Sequence, residues 1–332
     1  MIIGITLKAE SKRTIRGGNK MSKIYDIVIV GGGPAGLSAG LYGSRAKLDV
    51  LVIEKAKFGG QTTTTAELEN YPGSIPDCTG PALSERMHDQ AEEFGTEFVK
   101  DDIVSVDFSG DIKFVNGKDA QYQGRSVIIA TGAEPRLAGF GKEMELRARG
   151  VSYCATCDAD FFEGLDVAVI GGGDSAIDEA IYLTKFAETV TIIHRRDTLR
   201  AAKSLQEKAF NNPKIKFIWD SVPVTAYGDE ILEGLEIKNV KTGEVSNLEV
   251  NGVFVFVGLD PITEAFKGQI ELEGGYIPTD EDMRTNVPGI FAAGDVRVKS
   301  LRQVITAAAD GAMASIAAEK YIAEKESSLV HA

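Results

Sequence analysis

The sequence predicts an α/β fold of two doubly wound, mostly parallel sheets, the second domain inserted into a discontinuous first. Two observations predict it. One supersecondary unit, strand–glycine turn–helix–strand, occurs twice, with its first glycines at Gly31 and Gly171, 140 residues apart. Two further apolar strands that run into glycine, Val127–Ala133 and Ile290–Asp295, lie on either side of the second copy.

Residues 1–20 stand apart from this pattern. A short apolar start is followed by five basic residues against one acidic. The basic leader and small-residue cleavage site of a secretory signal are missing, so a disordered extension is expected. Tyr25–Val30 is then an apolar run suited to a strand buried on both faces. It enters Gly31-Gly32-Gly33-Pro34-Ala35-Gly36, a helical stretch at Leu37–Tyr42, and a second strand at Asp49–Ile53. In such a turn the first glycine makes the bend and the second admits a pyrophosphate to the backbone. The third lets helix and strand pack closely, and the helix N-terminus holds the phosphate charge. The second copy runs through Asp166–Ile170, Gly171-Gly172-Gly173-Asp174-Ser175-Ala176, a helix through Ile181–Leu183, and Val190–Ile193. One such turn could be a packing device. Two in strand–turn–helix context point to two Rossmann-like dinucleotide sites.

The residue ending each second strand separates the two nucleotides. Glu54 lies eighteen residues after Gly36. A carboxylate there accepts from two ribose hydroxyls and repels a 2′-phosphate, which predicts FAD or NAD. His194 holds the same register after Ala176 and is followed by Arg195, Arg196 and Arg200. A fork of guanidinium groups suits a 2′-phosphate, which predicts NADPH; a solvated basic patch is the competing reading. Asp295 precedes an Ala-rich helix expected over Gln303–Tyr321. Its carboxylate suits a flavin ribityl hydroxyl, or is an ordinary acidic residue at a strand end.

Cys154-Ala155-Thr156-Cys157-Asp158 stops short of the second glycine turn, with fourteen residues from Cys157 to Gly171. Cysteines three apart at a helix start face each other, and a helix N-terminus favours thiolate over thiol. A redox disulfide is the reading taken. Zinc needs about four ligands, whereas His88, His194 and His331 are scattered, so no metal is expected; an inert buried pair is the other alternative. Asp158 suits a general acid for the leaving thiolate if burial raises its pKa, or a helix cap. Cys78 is expected as a small buried hydrophobe.

Composition sets the outer limits. The 332 residues are 43% hydrophobic and 26% charged, an ordinary balance for about two globular domains. Lys plus Arg number 36 against 49 Asp plus Glu, a net charge of −13. That disfavours nucleic acid and anionic membranes as partners. No apolar run approaches the ~18 residues of a membrane span. Three cysteines are too few for a disulfide framework, so a cytoplasmic setting is expected.

These motifs together resemble those of the low-molecular-weight, bacterial-type thioredoxin reductases, a class of pyridine nucleotide-disulfide oxidoreductases. The match runs from about Met21 to Lys325. It includes GGGPAG at Gly31–Gly36, GGQTTTT at Gly59–Thr65, ENYPG at Glu69–Gly73 and ATG at Ala130–Gly132. CATCD at Cys154–Asp158, GGGDSA at Gly171–Ala176 and HRRDTLRA at His194–Ala201 follow, then FAAGD at Phe291–Asp295 and RQVITAAADG at Arg302–Gly311. The resemblance implies FAD contacts from Gly31, Gly33, Pro34, Ala35, Gly36, Glu54, Gln61, Asn70, Asp295, Arg302 and Gln303. It implies NADPH contacts from Gly173, Asp174, Ser175, Ala176, His194, Arg195, Arg196 and Arg200. Cys157 would lie next to the flavin, Cys154 would attack the disulfide of thioredoxin, and Asp158 would be the general acid. Ala159 stands where many members carry Gly, which bears on the helix start and the partner-docking surface. The family is homodimeric.

The expected layout is an FAD-binding domain at 21–135 and 259–325, an NADPH-binding domain carrying the cysteines at 136–258, and a tail at 326–332. The expected reaction takes hydride from NADPH by way of FAD to the cysteine pair, and then electrons to oxidised thioredoxin. Reduction of another small dithiol carrier and a flavin-dependent dithiol oxidase are the alternatives. A nucleotide-sensing binding protein is a third. Both sites must serve one flavin, so rotation is expected about the crossings near Ala133–Arg136 and Gly258–Pro261.

Overall fold

A computed structural model describes residues 23–65, 68, 70–76 and 78–330. The expected extension at 1–20, Glu69 of the ENYPG motif and His331 lie outside the described residues. The chain opens with β1 (Ile24–Val30), α1 (Pro34–Arg45) and β2 (Val50–Glu54). A 3-10 turn at Gly60–Thr64 leads to α2 (Gly80–Glu93) and β3 (Glu97–Lys100), then β4 (Ile103–Asp107), β5 (Lys113–Gly117) and β6 (Gln121–Ile129). The strand order is β3-β2-β1-β6-β5-β4. Strands β3, β2, β1 and β6 run parallel, while β4, β5 and the start of β6 form an antiparallel meander. Ile27–Val30 of β1 and all of β2 are buried, as continuous apolar runs in a parallel sheet require.

After β7 (Ala133–Pro135) the chain builds a second sheet from β8 (Val151–Ser152), α3 (Ala155–Asp158), β9 (Asp166–Gly171), α4 (Asp174–Leu183), β10 (Thr189–Ile193), α5 (Lys203–Phe210) and β11 (Ile215–Ile218). An antiparallel sheet of β12 (Ser221–Tyr227), β13 (Gly234–Asn239) and β14 (Val245–Glu249) precedes β15 (Gly252–Phe256). The parallel order is β11-β10-β9-β15-β8. The chain then crosses back through β16 (Leu259–Pro261), which pairs antiparallel with β7. Finally β17 (Ile290–Ala292) joins the first sheet beside the end of β6, and α6 (Val304–Val330) covers it. The first sheet thus draws strands from both ends of the chain, and the second lies wholly between the two crossings.

Helix α6 seats tightly on α1 through small residues. A Cβ on Gly311 would lie 2.0 Å from the Ala35 carbonyl oxygen, so only glycine permits this approach. Ala35, Ala39, Ala314 and Ala318 pack there with Ile27, Ile29, Val52 and Ile128. Two corrections to the expectations follow. The helix expected over Gln303–Tyr321 reaches Val330, so residues 326–330 continue α6 and are not a tail. Ala159 is 3% exposed, with right-handed helical backbone, inside the core of the second sheet. It therefore contributes no docking surface, and its conformation makes no demand for glycine. No helix among the described residues is long and apolar enough to cross a membrane.

Candidate functional site

The first glycine turn is shaped by close approach. Gly31 has φ +111°, and a Cβ there would sit 2.3 Å from the Ala130 oxygen. A Cβ on Gly36 would lie 1.9 Å from the Gly31 oxygen. Gly33, by contrast, faces open space. It is the N-cap of α1 and gives no side-chain cap, with Pro34 at the first helical position. The first amides of α1 are thus left for an outside acceptor, which suits a phosphate. Glu54 braces the turn: it accepts from the amide of Gly32 at 2.7 Å and of Ala56 at 2.9 Å. Each carboxylate oxygen retains a lone pair for a hydroxyl.

Across the cavity, one oxygen of Asp295, Oδ1, is buried with no partner among the described residues. Burial holds this carboxyl above the usual carboxylate range, against the pull of Lys299 and Arg302. A buried acceptor left unpaired is costly, and a ligand hydroxyl would satisfy it. The residues present therefore fit a flavin dinucleotide. Arg302 stacks on Tyr276 and donates to the Asp295 and Arg297 carbonyls. Gln61 donates to the Ala133 carbonyl.

The second turn repeats the device. Gly171 has φ +155°, and a Cβ there would meet the Phe256 oxygen at 2.5 Å. Gly173 caps α4 without a side-chain cap, Ala176 is buried, and Ser175 is exposed. Asp174 accepts from the Ala202 amide at 2.7 Å. That bond, with the Gly172 carbonyl accepting from the amides of Arg200 and Ala201, pins the basic loop beside the turn. Arg200 lines the cavity. Arg195 and Arg196 stand exposed outside its lining, and among the described residues neither has an acidic partner. His194 parts company with them. Its ring is buried against Gly172, Nε2 has no partner, and burial lowers its pKa.

Cys154 and Cys157 form a disulfide with Cα atoms 5.3 Å apart. The helix expected to begin there is a single turn, α3, followed by a 3-10 turn at Ala159–Phe162. A four-residue helix has little macrodipole, so that expected source of thiolate stabilisation is largely lost. Asp158 is raised above the carboxylate range, first by burial and then by Asp160, while a hydrogen bond from Ser152 opposes the rise. The redox turn meets the first sheet's side at Thr156. Asn70 donates to its carbonyl at 3.3 Å and to Gln303 at 3.1 Å, and Gln303 donates to its hydroxyl at 3.0 Å.

One cavity of about 1310 Å³ is lined by Gly33–Ala35, Glu54, Gln61, Asn70, Asp295 and Gln303. It is also lined by Cys154, Cys157, Asp158, Gly173–Ala176 and Arg200. Two of its residues escaped the sequence reading. Ser152 is buried and ties Asp158 to the Cys154 amide. Glu179 on α4 keeps a buried carboxylate oxygen without a partner, and burial, helped by Asp178, pushes its pKa up to about 7. Cys78 packs with Leu68 and Leu83 as expected.

Residues 25–311 match the family model of the pyridine nucleotide-disulphide oxidoreductases. The thioredoxin reductase of Peptoclostridium acidaminophilum is 57% identical over 91% of this chain and 98% of its own. That of Bacillus subtilis is 45% identical over 92% and 98%. The crystal structure of thioredoxin reductase from Streptococcus pyogenes superposes with a TM-score of 0.86 at 47% identity, covering 91% of this chain and 99% of that one. The Lactococcus lactis enzyme, in what is described as an FR conformation, reaches 0.64 at 48% identity with 90% and 99% coverage. With the disulfide and both glycine turns on one cavity, the chain belongs to the pyridine nucleotide-disulphide oxidoreductases and, among them, to the thioredoxin reductases.

Proposed function

We propose that the unit built from residues 21–135 and 259–325 holds FAD, that the unit at 136–258 holds NADPH, and that the Cys154–Cys157 pair passes electrons to thioredoxin. The observation that supports this best is the shared cavity: both glycine turns and the disulfide line it. Bound flavin would supply hydride acceptance from a nicotinamide, chemistry that no side chain provides.

The protein's own residues do the rest. Gly31–Gly36 and the N-terminus of α1 hold a pyrophosphate, Glu54 a ribose, and Asp295 a ribityl hydroxyl. Arg195, Arg196 and Arg200 bind the 2′-phosphate that distinguishes NADPH. Two electrons break the disulfide. Asp158 protonates one departing thiolate, which leaves one thiol and one thiolate. Cys154, as thiolate, then attacks the disulfide of thioredoxin and expels one of its sulfurs. Cys157 attacks Cys154, releases the second sulfur and restores the disulfide. Two protons end on the thioredoxin dithiol.

A second copy as partner is supported by Ile305, Met313 and Ile316, large apolar side chains exposed on α6. A cytoplasmic setting is supported by the scarcity of cysteine. The test is NADPH oxidation by the purified holoprotein with and without oxidised thioredoxin. Oxidation should depend on thioredoxin and yield its dithiol in equal amount. Equal rates with and without it, with oxygen consumed, would overturn the reading in favour of an oxidase.

A further inference from the structure

Ser152 ends the short strand β8, paired to Phe254 of β15 and 6% exposed. Its hydroxyl stands among three groups of the redox turn. It donates to Asp158 Oδ2 at 2.6 Å, accepts from the Cys154 amide at 3.1 Å, and has a second acceptor in the Cys154 carbonyl at 3.3 Å. A hydroxyl carries one proton, so it can serve only one of the two acceptors at a time. While Asp158 is ionised, the charge draws that proton. Once Asp158 Oδ2 is protonated, the hydroxyl is free to turn to the Cys154 carbonyl.

We propose that Ser152 is a positioning residue: its single hydroxyl proton follows the protonation of Asp158 and couples the acid's state to the backbone that carries Cys154. This rests on Asp158 acting as the general acid. In the proton-transfer step Asp158 gives its proton to the thiolate released from the disulfide and becomes ionised, and the electrons come from NADPH. At that moment the Ser152 hydroxyl swings back to the new carboxylate and stabilises it. The acid is thereby helped to let go of its proton just when a sulfur needs it, and the Cys154 amide stays held throughout.

The surroundings leave this bond as the main favourable influence on the ionised acid. The charge that acts on Asp158 is Asp160, which disfavours ionisation, as does burial. Helix α4 packs against α3 and brings Glu179, with Asp178 beside it, to the same cavity. Neither is among the groups that act on Asp158. No cation is among the influences on Asp158.

The experiment titrates, in oxidised holoenzyme, the infrared band of the protonated carboxyl that Asp158→Asn removes. Ser152→Ala should move its midpoint up by about one pH unit, the scale of one hydrogen bond to a charged group. Ser152→Thr and Ser152→Val form a second pair of nearly equal shape that differs in the hydroxyl. Thr should titrate like the wild type and Val like Ala, so a fold-disrupting effect of one substitution does not decide the matter. The alkaline limb of thioredoxin turnover should shift with the band. An unchanged midpoint in Ser152→Ala, or equal midpoints in Thr and Val, would overturn the proposal. Full thioredoxin turnover by Asp158→Asn would instead overturn the acid role of Asp158, a distinguishable failure.

Discussion

Asp295 keeps a buried oxygen without a partner and a pKa above the carboxylate range, which is a cost to the protein alone. Because its folded pKa is raised, the stability it contributes is present below the unfolded value and lost as pH rises through the folded one. Asp295→Asn should therefore raise the melting temperature of the apoprotein at pH 7, with the gain fading below pH ~4. The same change should weaken FAD binding at least tenfold or so, the scale of one lost hydrogen bond to a charged acceptor. Thermal melts of apoprotein and fluorescence titration with FAD measure the two effects. Arg195 and Arg196 are exposed and, among the described residues, free of acidic partners, so their removal should cost little stability. At roughly 1.5–3 kcal/mol per charged hydrogen bond, neutralising both should weaken NADPH by about a hundredfold and leave NADH nearly unchanged. Equal loss of both coenzymes would remove the 2′-phosphate from their role. Cys154→Ser and Cys157→Ser should both abolish thioredoxin turnover while NADPH still reduces the flavin. Only Cys157→Ser should trap thioredoxin, visible by mass spectrometry as a mixed disulfide on Cys154. These residues are legible in the sequence because each belongs to a contiguous motif. Ser152 and Glu179 are not. The bond from Ser152 to Asp158 depends on β8 reaching β15 a hundred positions later, and nothing local marks Glu179 as a carboxylate buried without a partner.

The two glycine turns make separable demands on their elements. A Cβ on Gly36 would drive α1 away from the Gly31 carbonyl, and one on Gly171 would collide with the end of β15. Gly171→Ala also forces a side chain into positive φ, a strain on the order of 1–3 kcal/mol. That strain falls within the second sheet. The expected product is a yellow protein that retains FAD but binds NADPH poorly, whereas Gly36→Ala should yield protein without flavin. Absorbance after desalting and NADPH titration distinguish the two; loss of FAD from Gly171→Ala would contradict the independence of the units. Elements with strong periodic or apolar signals were legible: β1, β2, β9 and β10 fall within a residue or two of expectation. The meander β4–β5 and the sheet β12–β14 were not anticipated. Their strands mix polar with apolar residues, none is buried along its whole length, and β4 and β14 are mostly exposed, so antiparallel pairing rather than a buried run defines them. Helix α6 outran its expected end because Ala-rich sequence passes into Glu and Lys without a breaker, and Arg125 pairs with Glu326 beyond that point.

At the scale of the molecule, the connection between the units decides what can move. The chain passes between them twice, and the two passages are joined as one antiparallel ribbon of β7 and β16. The ribbon is closed by the Arg136–Asp260 ion pair and by the Thr131 hydroxyl bonding to the Ile262 carbonyl at 2.7 Å. Gly132 and Gly258 flank it with φ +74° and +129°, where backbone can turn with least side-chain hindrance. A paired ribbon bends as one body, which suits a hinge. Among the described residues, the side-chain hydrogen bonds between the redox turn and the first unit converge on Thr156, so little of that polar contact would be broken by separation. Two relatives of nearly equal identity superpose on this chain at 0.86 and 0.64, a contrast expected when similar units are differently arranged. In the present arrangement the disulfide lines the shared cavity, whereas the proposed reaction needs Cys154 to meet a whole protein. We therefore predict that the second unit rotates about the ribbon in each turnover, on the μs–ms scale of domain motions. Asn70→Cys with Thr156→Cys, bridged by a short bis-maleimide in oxidised enzyme, would hold the redox turn where it is. The native pair is protected as a disulfide and Cys78 is buried. Compared with the same variant left unbridged, the bridged enzyme should lose NADPH-driven thioredoxin reduction. Photoreduced flavin should still pass its electrons to the cysteine pair. Thioredoxin reduction at the unbridged rate would show that no such rotation is needed.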